Sequence, residues 1–414
     1  MATLRSVAPP PLRPGAMIHG PGSDVDRLLD RFAAELRRRG FRVGGLVQRN
    51  YGTRGDCADR MELVDVATGR AFDISQNLGR ESQACRVDPA GVADASHVVR
   101  RAVSERPDLL VINKFAGLEA HGQGLAGEML EGIAEGIPVL TSVGSRYLNE
   151  WQRFTGGYCE LLAPSEEALW RWWGPHRLYE DLVLGVGDAE VSRVTIGAKW
   201  IMVESSTGGV GLAARPPSTR NDASAEPPSL ASLAGTSLPA LARQAARAWK
   251  SLTAAIGIAA LNAHYNHAGL TGDDANGLDL FAGADGPVVV IGGFPQIAQR
   301  LPKAQVVELK PGPGEYPEAA AEWLLPGAEA VAMTSSALAN RTLPRLLAAA
   351  AGARVAMVGP GTPLTERLFS YGPEALAGFV VEDREAVARV ILDGGSSRDF
   401  HRYGRFVTLR RTGR

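Results

Sequence analysis

The stretch PVVVIGGFPQIAQRLPKAQVVELKPGPGEYPE, residues 287–318, decides the fold. Val288 to Ile291 is a short β-branched apolar run, the pattern of a strand buried on both faces. Gly292 and Gly293 stop it, and two glycines let the backbone turn tightly and come close to a ligand. Phe294-Pro295 is then expected to open a helix, because proline at the first helical position gives up an N–H that has no partner there anyway. A second apolar strand, Ala304 to Leu309, carries Glu308 near its carboxyl end. A strand, a glycine turn, a helix start and an acid ending the next strand outline the crevice in which open α/β sheets bind ligands. The turn lacks the G-x-G-x-x-G spacing, and Glu308 follows Gly292 closely for a ribose-binding acid. A tight structural turn with a solvated Glu308 is the plain alternative.

Outward from this stretch, residues 271–414 continue as α/β. Short strands are expected at Ala328–Met333, Arg354–Val358 and Ala377–Val381. Their ends carry polar groups: Thr334-Ser335-Ser336, then Asn340-Arg341-Thr342, and Gly359 to Pro363 with Thr362. In a parallel sheet these ends share one edge with Gly292, Gly293 and Glu308. Glu315, Tyr316 and Glu318, in PGPGEYPE, would hang over that edge from a loop.

Residues 181–270 read differently. Leu182–Val186, Val191–Ile196, Trp200–Glu204 and Val210–Ala213 form an expected antiparallel meander. Residues 215–229, rich in Pro and Ser, read as a mobile loop. Ser237 caps a long Ala-rich helix that Gly257 is expected to divide before Asn262. His264 and His267 stand three apart, but a pair without a third ligand is explained by a helix C-terminus alone.

The first region, 16–163, alternates strand and helix. Ala16–His19, Val43–Val47, Asp108–Ile112 and Ile137–Val143 are strands, with a hairpin at 61–74. Gly20-Pro-Gly-Ser-Asp24 stands where a phosphate loop would, without the Lys-Ser/Thr pair that grips phosphate and magnesium. Asn113, Lys114 and Glu119, at the end of a buried strand, are the candidate ligand contacts, with a capped loop as the alternative. Residues 1–15 read as a Pro-rich disordered arm, and 164–180 as a connector whose Trp170, Trp172 and Trp173 pack a domain interface.

The run LLVINKFAGLEAHGQGLAGEMLEGIAEGIPVLTSV resembles a P-loop-related bacterial family of unknown function associated with molybdate transport. That resemblance implies nucleotide or oxyanion binding. IGGFP, GEYPEAAAEWLLPGAEAVAMTSSALANRTL and VGPGTPL resemble the heavy-metal chelation family. The preceding VTIGAKWIMVESSTGGVGLA and IGIAALNAHYN resemble its enolase-N-terminal-like partner domain. Together the resemblances imply a P-loop-like α/β domain, an enolase-N-like α+β domain and a Rossmann-like domain, with a site where the last two meet.

At 414 residues and a net charge of −1, the chain offers no cationic excess for nucleic acid. No apolar run spans a bilayer, and the first residues lack a signal-peptide core. Three scattered cysteines, Cys57, Cys85 and Cys159, form neither a disulfide framework nor a metal motif, so a reduced cytoplasmic setting is expected.

The leading expectation is a binding protein for a metal ion, an oxyanion, or a small metal-bearing or nucleotide-like cofactor. Gly292, Gly293, Phe294, Thr334, Ser335, Asn340, Gly359, Thr362 and Asn262 would contact the ligand, with Glu308 and Glu315 as oxygen donors to a metal. The second is a transferase or lyase acting on a nucleotide-like or pterin-like substrate, with Glu315 or Glu308 as general acid/base. Self-association stays open.

Overall fold

A computed structural model describes residues 11–52, 60–76, 87–217, 230–249, 251–275 and 277–412. Most of the expected arm, the segment 218–229, Cys57 and Cys85 lie outside the described residues. The chain forms two compact units whose boundary in sequence falls between Trp173 and Gly174.

In the first unit, β1 (Gly15–His19), β2 (Val43–Tyr51), β3 (Arg60–Asp65), β4 (Ala71–Asp73), β5 (Leu109–Ile112), β6 (Val139–Gly144) and β7 (Glu160–Leu162) form one sheet. Its order is β4-β3-β2-β5-β6-β1-β7. The strands from β2 to β7 in that order run parallel, and the β3–β4 hairpin adds antiparallel to the edge. The helix Val25–Arg38 buries Val25, Leu28, Leu29, Phe32 and Leu36, the stripe its spacing predicts. The strand–turn–helix unit is that of a P-loop domain, without the phosphate-gripping residues.

Trp170, Trp172 and Trp173, expected to pack a domain interface, have neighbours within the first unit. They lie on the helix Glu166–Trp173 and are buried in the first unit itself. Trp170 and Trp173 meet Phe32 and Phe41 edge-on, each at 5.2 Å between ring centres. A Cβ on Gly15 would lie 2.7 Å from the Trp172 indole, so only glycine lets β1 pass beneath it.

In the second unit, β8 (Val191–Ile196), β9 (Trp200–Ser205) and β10 (Val210–Ala214) form the expected meander, in the order β10-β9-β8. Leu182–Val186, read as a strand, belongs instead to the helix Leu178–Leu184. Leu178, Tyr179 and Leu182 are buried there at helical spacing, which outweighs the β-type composition. Ser237 caps the helix Leu238–Arg247 by accepting from Ala240 N–H at 3.3 Å. The next helix is Ser251–Tyr265, so the break precedes Ser251 and does not fall at Gly257. Gly257 instead marks a helix crossing, where a Cβ would stand 2.2 Å from Ala245 N.

β11 (Val288–Ile291), β12 (Gln305–Glu308), β13 (Tyr316–Pro317), β14 (Ala330–Thr334), β15 (Arg354–Val358), β16 (Pro373–Val381) and β17 (Gly404–Arg410) complete the unit. Their order is β13-β12-β11-β14-β15-β16-β17, parallel except for β17 against β16. Met202, Val210 and Leu212 of the meander share a core with Phe379, Val387 and Phe400. Meander and parallel sheet are therefore one folded body.

The helix expected after Phe294-Pro295 is a single turn, Ile297–Arg300. Gln296 precedes it at φ 61, a left-handed step, and Pro302 drives Leu301 out of the helical region. Phe294 packs on the apolar cluster around Leu278, Phe281 and Val290.

Candidate functional site

From β11 the chain winds one way to β12 and β13, then returns past β11 to β14. This reversal splays the loops at the carboxyl ends of β11 and β14, which is where such sheets open a crevice. A cavity of about 460 Å³ lies there. It falls within the range of about 300–1,000 Å³ usual for small organic ligands. Gly292, Gly293, Glu308, Thr334 and Asn340 line it. The far wall comes from the end of β10 and its continuation, Ala214 to Pro217, so meander and parallel sheet both contribute.

Each lining group owes its place to local geometry. Gly292 has φ 97, and a Cβ there would lie 2.7 Å from Thr334 Cγ2. Glycine is therefore required for β11 and β14 to stay paired at their ends. Gly293 is not in the left-handed region, and the nearest atom to its would-be Cβ is Glu308 Oε2, at 3.5 Å. Glu308 Oε1 accepts from Leu309 N–H at 3.0 Å, while Oε2 has no partner among the described residues. Thr334 Oγ1 accepts from Ser336 N–H at 3.3 Å. Asn340 Oδ1 takes the Thr342 N–H and hydroxyl at 3.1 and 2.7 Å. That leaves the Asn340 amide N–H groups as donors.

The remaining candidates stand elsewhere. Asn262 is fully buried and donates Nδ2 to Leu212 O at 2.7 Å and Gly361 O at 2.9 Å. It joins meander to sheet behind the cavity wall. Asn262 Oδ1 and Thr362 Oγ1 are buried with no hydrogen-bond partner among the described residues. Ser335 is buried against Gly359, whose φ of 134 and missing Cβ make room for the hydroxyl. Glu315 Oε2 accepts from Gly312 N–H at 2.7 Å and closes its own turn. Phe294 is not among the lining residues.

Sequence reasoning missed Ala214–Pro217, while Ser336, Thr342 and Glu318, named among the strand-end and loop groups, line the cavity. Thr342 was signalled by its i+2 relation to Asn340, an Asx-turn spacing. The wall from β10 had no local signal. Glu318 pairs with Arg345 at 2.7 Å on the surface.

In the first unit Asn113 and Lys114 converge on Asp26, in the first turn of the helix Val25–Arg38. Asn113 Nδ2 donates to one oxygen at 2.8 Å, Asn50 Nδ2 to the other at 2.7 Å, and Lys114 Nζ lies 3.7 Å away. Ser142 Oγ donates to Asn113 Oδ1 at 2.6 Å. These polar groups already serve a carboxylate that the chain itself supplies, beside the degenerate phosphate turn. Asp26→Ala is expected to destabilise this unit by about 2 kcal/mol, since it strands the fully buried Asn113 amide. Urea denaturation of the full chain checks this, and an unchanged midpoint would refute the network.

A resident metal is tested against the donors present. Among the described residues no group of three or more His, Cys, Asp and Glu is placed to hold one. The cavity offers oxygen ligands and no thiolate or imidazole. Burial, then the nearby His267, lowers the pKa of His264, but the pair gains no third ligand. A soft metal held by side chains alone does not fit. Among the described residues no helix is long and apolar enough to cross a membrane.

The family models divide the chain consistently with this architecture. Residues 15–172 match "Protein of unknown function (DUF2478)". Residues 179–265 and 275–410 match two models (DUF4213 and DUF364), each described as "Putative heavy-metal chelation". Over 163 residues the chain is 44% identical to the molybdenum import ATP-binding protein ModC 2 of Bradyrhizobium diazoefficiens, covering 39% of this chain and 18% of that protein. It thus spans less than a fifth of that curated relative. A crystal structure of a DUF364-family protein of unknown function from Desulfitobacterium hafniense is 32% identical, with a TM-score of 0.50, over 57% of this chain and 97% of that one. Another from Pyrococcus horikoshii is 20% identical, with a TM-score of 0.49, over 57% of this chain and 99% of its own. Through its second unit the chain therefore belongs to the DUF364 family, here fused to a DUF2478 region.

Proposed function

We propose that the second unit is a binding module for a small organic ligand, either a metal-bearing cofactor or a nucleotide-like compound, held in the crevice at β11 and β14. One observation carries the reading: an unpartnered carboxylate oxygen, Glu308 Oε2, over an exposed glycine backbone in a cavity of about 460 Å³. A metal reaching this site would bring its own ligands, because the lining lacks the set to hold it bare. A molybdenum-bearing cofactor is one member of that class, in keeping with the name of the ModC relative. Binding is favoured over catalysis, since Glu315 is engaged in its turn and, among the described residues, no hydrogen bond joins Glu308 to a nucleophile or base. The first unit takes no ligand in this reading, its strand-end donors being engaged on Asp26.

Gly293→Leu tests the site. The backbone there tolerates a side chain, and the new group fills the space before Glu308. Small molecules and metals released on denaturing the full-length wild type are compared with those from the variant by mass spectrometry and elemental analysis. The expected result is a near-stoichiometric organic compound, with or without metal, lost in Gly293→Leu. Equal contents in both proteins, or metal with no organic component, would overturn the proposal.

A further inference from the structure

We infer that the crevice reads a purine-nucleoside-type ligand through the vicinal hydroxyls of its ribose, with Glu308 as the acceptor and no grip on phosphate. This rests on the reading that the crevice holds a small organic ligand. An ionised carboxylate only accepts, so its complement is an O–H donor or a cation. Among the described residues no group of three or more carboxylates, imidazoles or thiolates gathers here for a bare cation. Glu308 Oε1 already holds the Leu309 N–H, while Oε2 is open above Gly293, where no side chain intervenes. An acid in this position, at the end of the strand after the glycine turn, is placed for a sugar diol.

The same turn argues against phosphate. Pyrophosphate is held where a helix begins, by aligned amides and the dipole of several turns. Here the helix after the glycines is the single turn Ile297–Arg300, entered through the left-handed Gln296. Arg215, the one cation among the described lining residues, donates Nη1 to Gly197 O at 2.9 Å. The rest of the wall is largely apolar, with Val307, Leu309, Ala337 and Leu346 available to a flat base. The Asn340 amide N–H groups remain to donate to its ring nitrogens.

The test is calorimetric titration of the full chain with adenosine, guanosine, their 2′,3′-dideoxy analogues and AMP. The wild type is expected to bind at least one nucleoside at least ~10-fold more tightly than its dideoxy form, because a site built for hydroxyls rejects the analogue lacking them. AMP is expected to bind no more tightly than adenosine. Glu308→Gln is expected to remove the diol preference while leaving dideoxynucleoside affinity in place, and Gly293→Leu to abolish binding of every probe. Equal affinity for nucleoside and dideoxynucleoside, a preference that survives Glu308→Gln, or AMP binding ~10-fold tighter than adenosine would each overturn the inference. If no nucleoside binds but Gly293→Leu still loses a co-purifying compound, the inference falls and the crevice reading stands. Nucleoside binding that survives Gly293→Leu would sink both.

Discussion

Asp181→Ala is expected to lower the melting temperature of the second unit by about 10 °C. Asp181 is fully buried on the helix Leu178–Leu184. One of its carboxylate oxygens accepts from Arg367 and the other from the Tyr371 hydroxyl at 2.9 Å. Removing the carboxylate takes the Asp181 ion pair from the largely buried Arg367 guanidinium and one hydrogen-bond acceptor from the Tyr371 hydroxyl. The cost is about 3 kcal/mol, at the lower end for a broken buried pair, because Arg367 keeps 19% side-chain exposure and its bond to the Asp181 carbonyl. Asp181→Leu combined with Arg367→Met is expected to recover much of the loss, since an apolar pair of similar volume replaces the ion pair. Differential scanning calorimetry of the full chain measures both. An Asp181→Ala shift below about 3 °C would mean that solvent reaches Arg367 far better than the packing allows.

Gly211→Ala is expected to cost about 3 kcal/mol or more, for a reason unrelated to charge. Gly211 lies in β10 where it crosses the helix Ser251–Tyr265. A Cβ there would stand 2.0 Å from Ala259 O and 2.1 Å from Ala263 N. Both are backbone atoms, so no rotamer change relieves the contact. Strand and helix would have to part by about 1.5 Å to restore van der Waals separation. That displacement also pulls Asn262 from the Leu212 and Gly361 carbonyls. Gly208 is the control: with φ 91 and open space around its Cβ position, Gly208→Ala carries only the backbone cost of about 1 kcal/mol. Urea midpoints of the two variants separate the mechanisms. A Gly211→Ala protein as stable as Gly208→Ala would refute the close crossing.

The gain at Glu308 and the failure at Glu315 show what a linear reading resolves. Glu308 was legible because strand alternation and strand ends are local properties: four β-branched or apolar residues, two glycines, and an acid at the end of the next run. Glu315 sits in an equally suggestive loop, yet its carboxylate turns back to the Gly312 N–H three residues away. Proximity in sequence favours such short-range bonds, but which partner wins depends on backbone angles that composition does not set. Leu182 shows the same limit in secondary structure, with β-type residues held helical by what they bury against.

By itself the sequence determined the alternation of the two α/β regions, the intervening meander, the glycine turn at Gly292, and the absence of a phosphate-gripping pair after β1. All of these follow from residue type and short spacing. Only the tertiary structure decided that β11 lies at the point where winding reverses, that Pro216 and Pro217 close the cavity from across the unit, and that Asn113 and Lys114 turn to Asp26. Each of those joins residues tens of positions apart, and such pairings follow from how whole elements bury their apolar faces, a quantity that no local window contains.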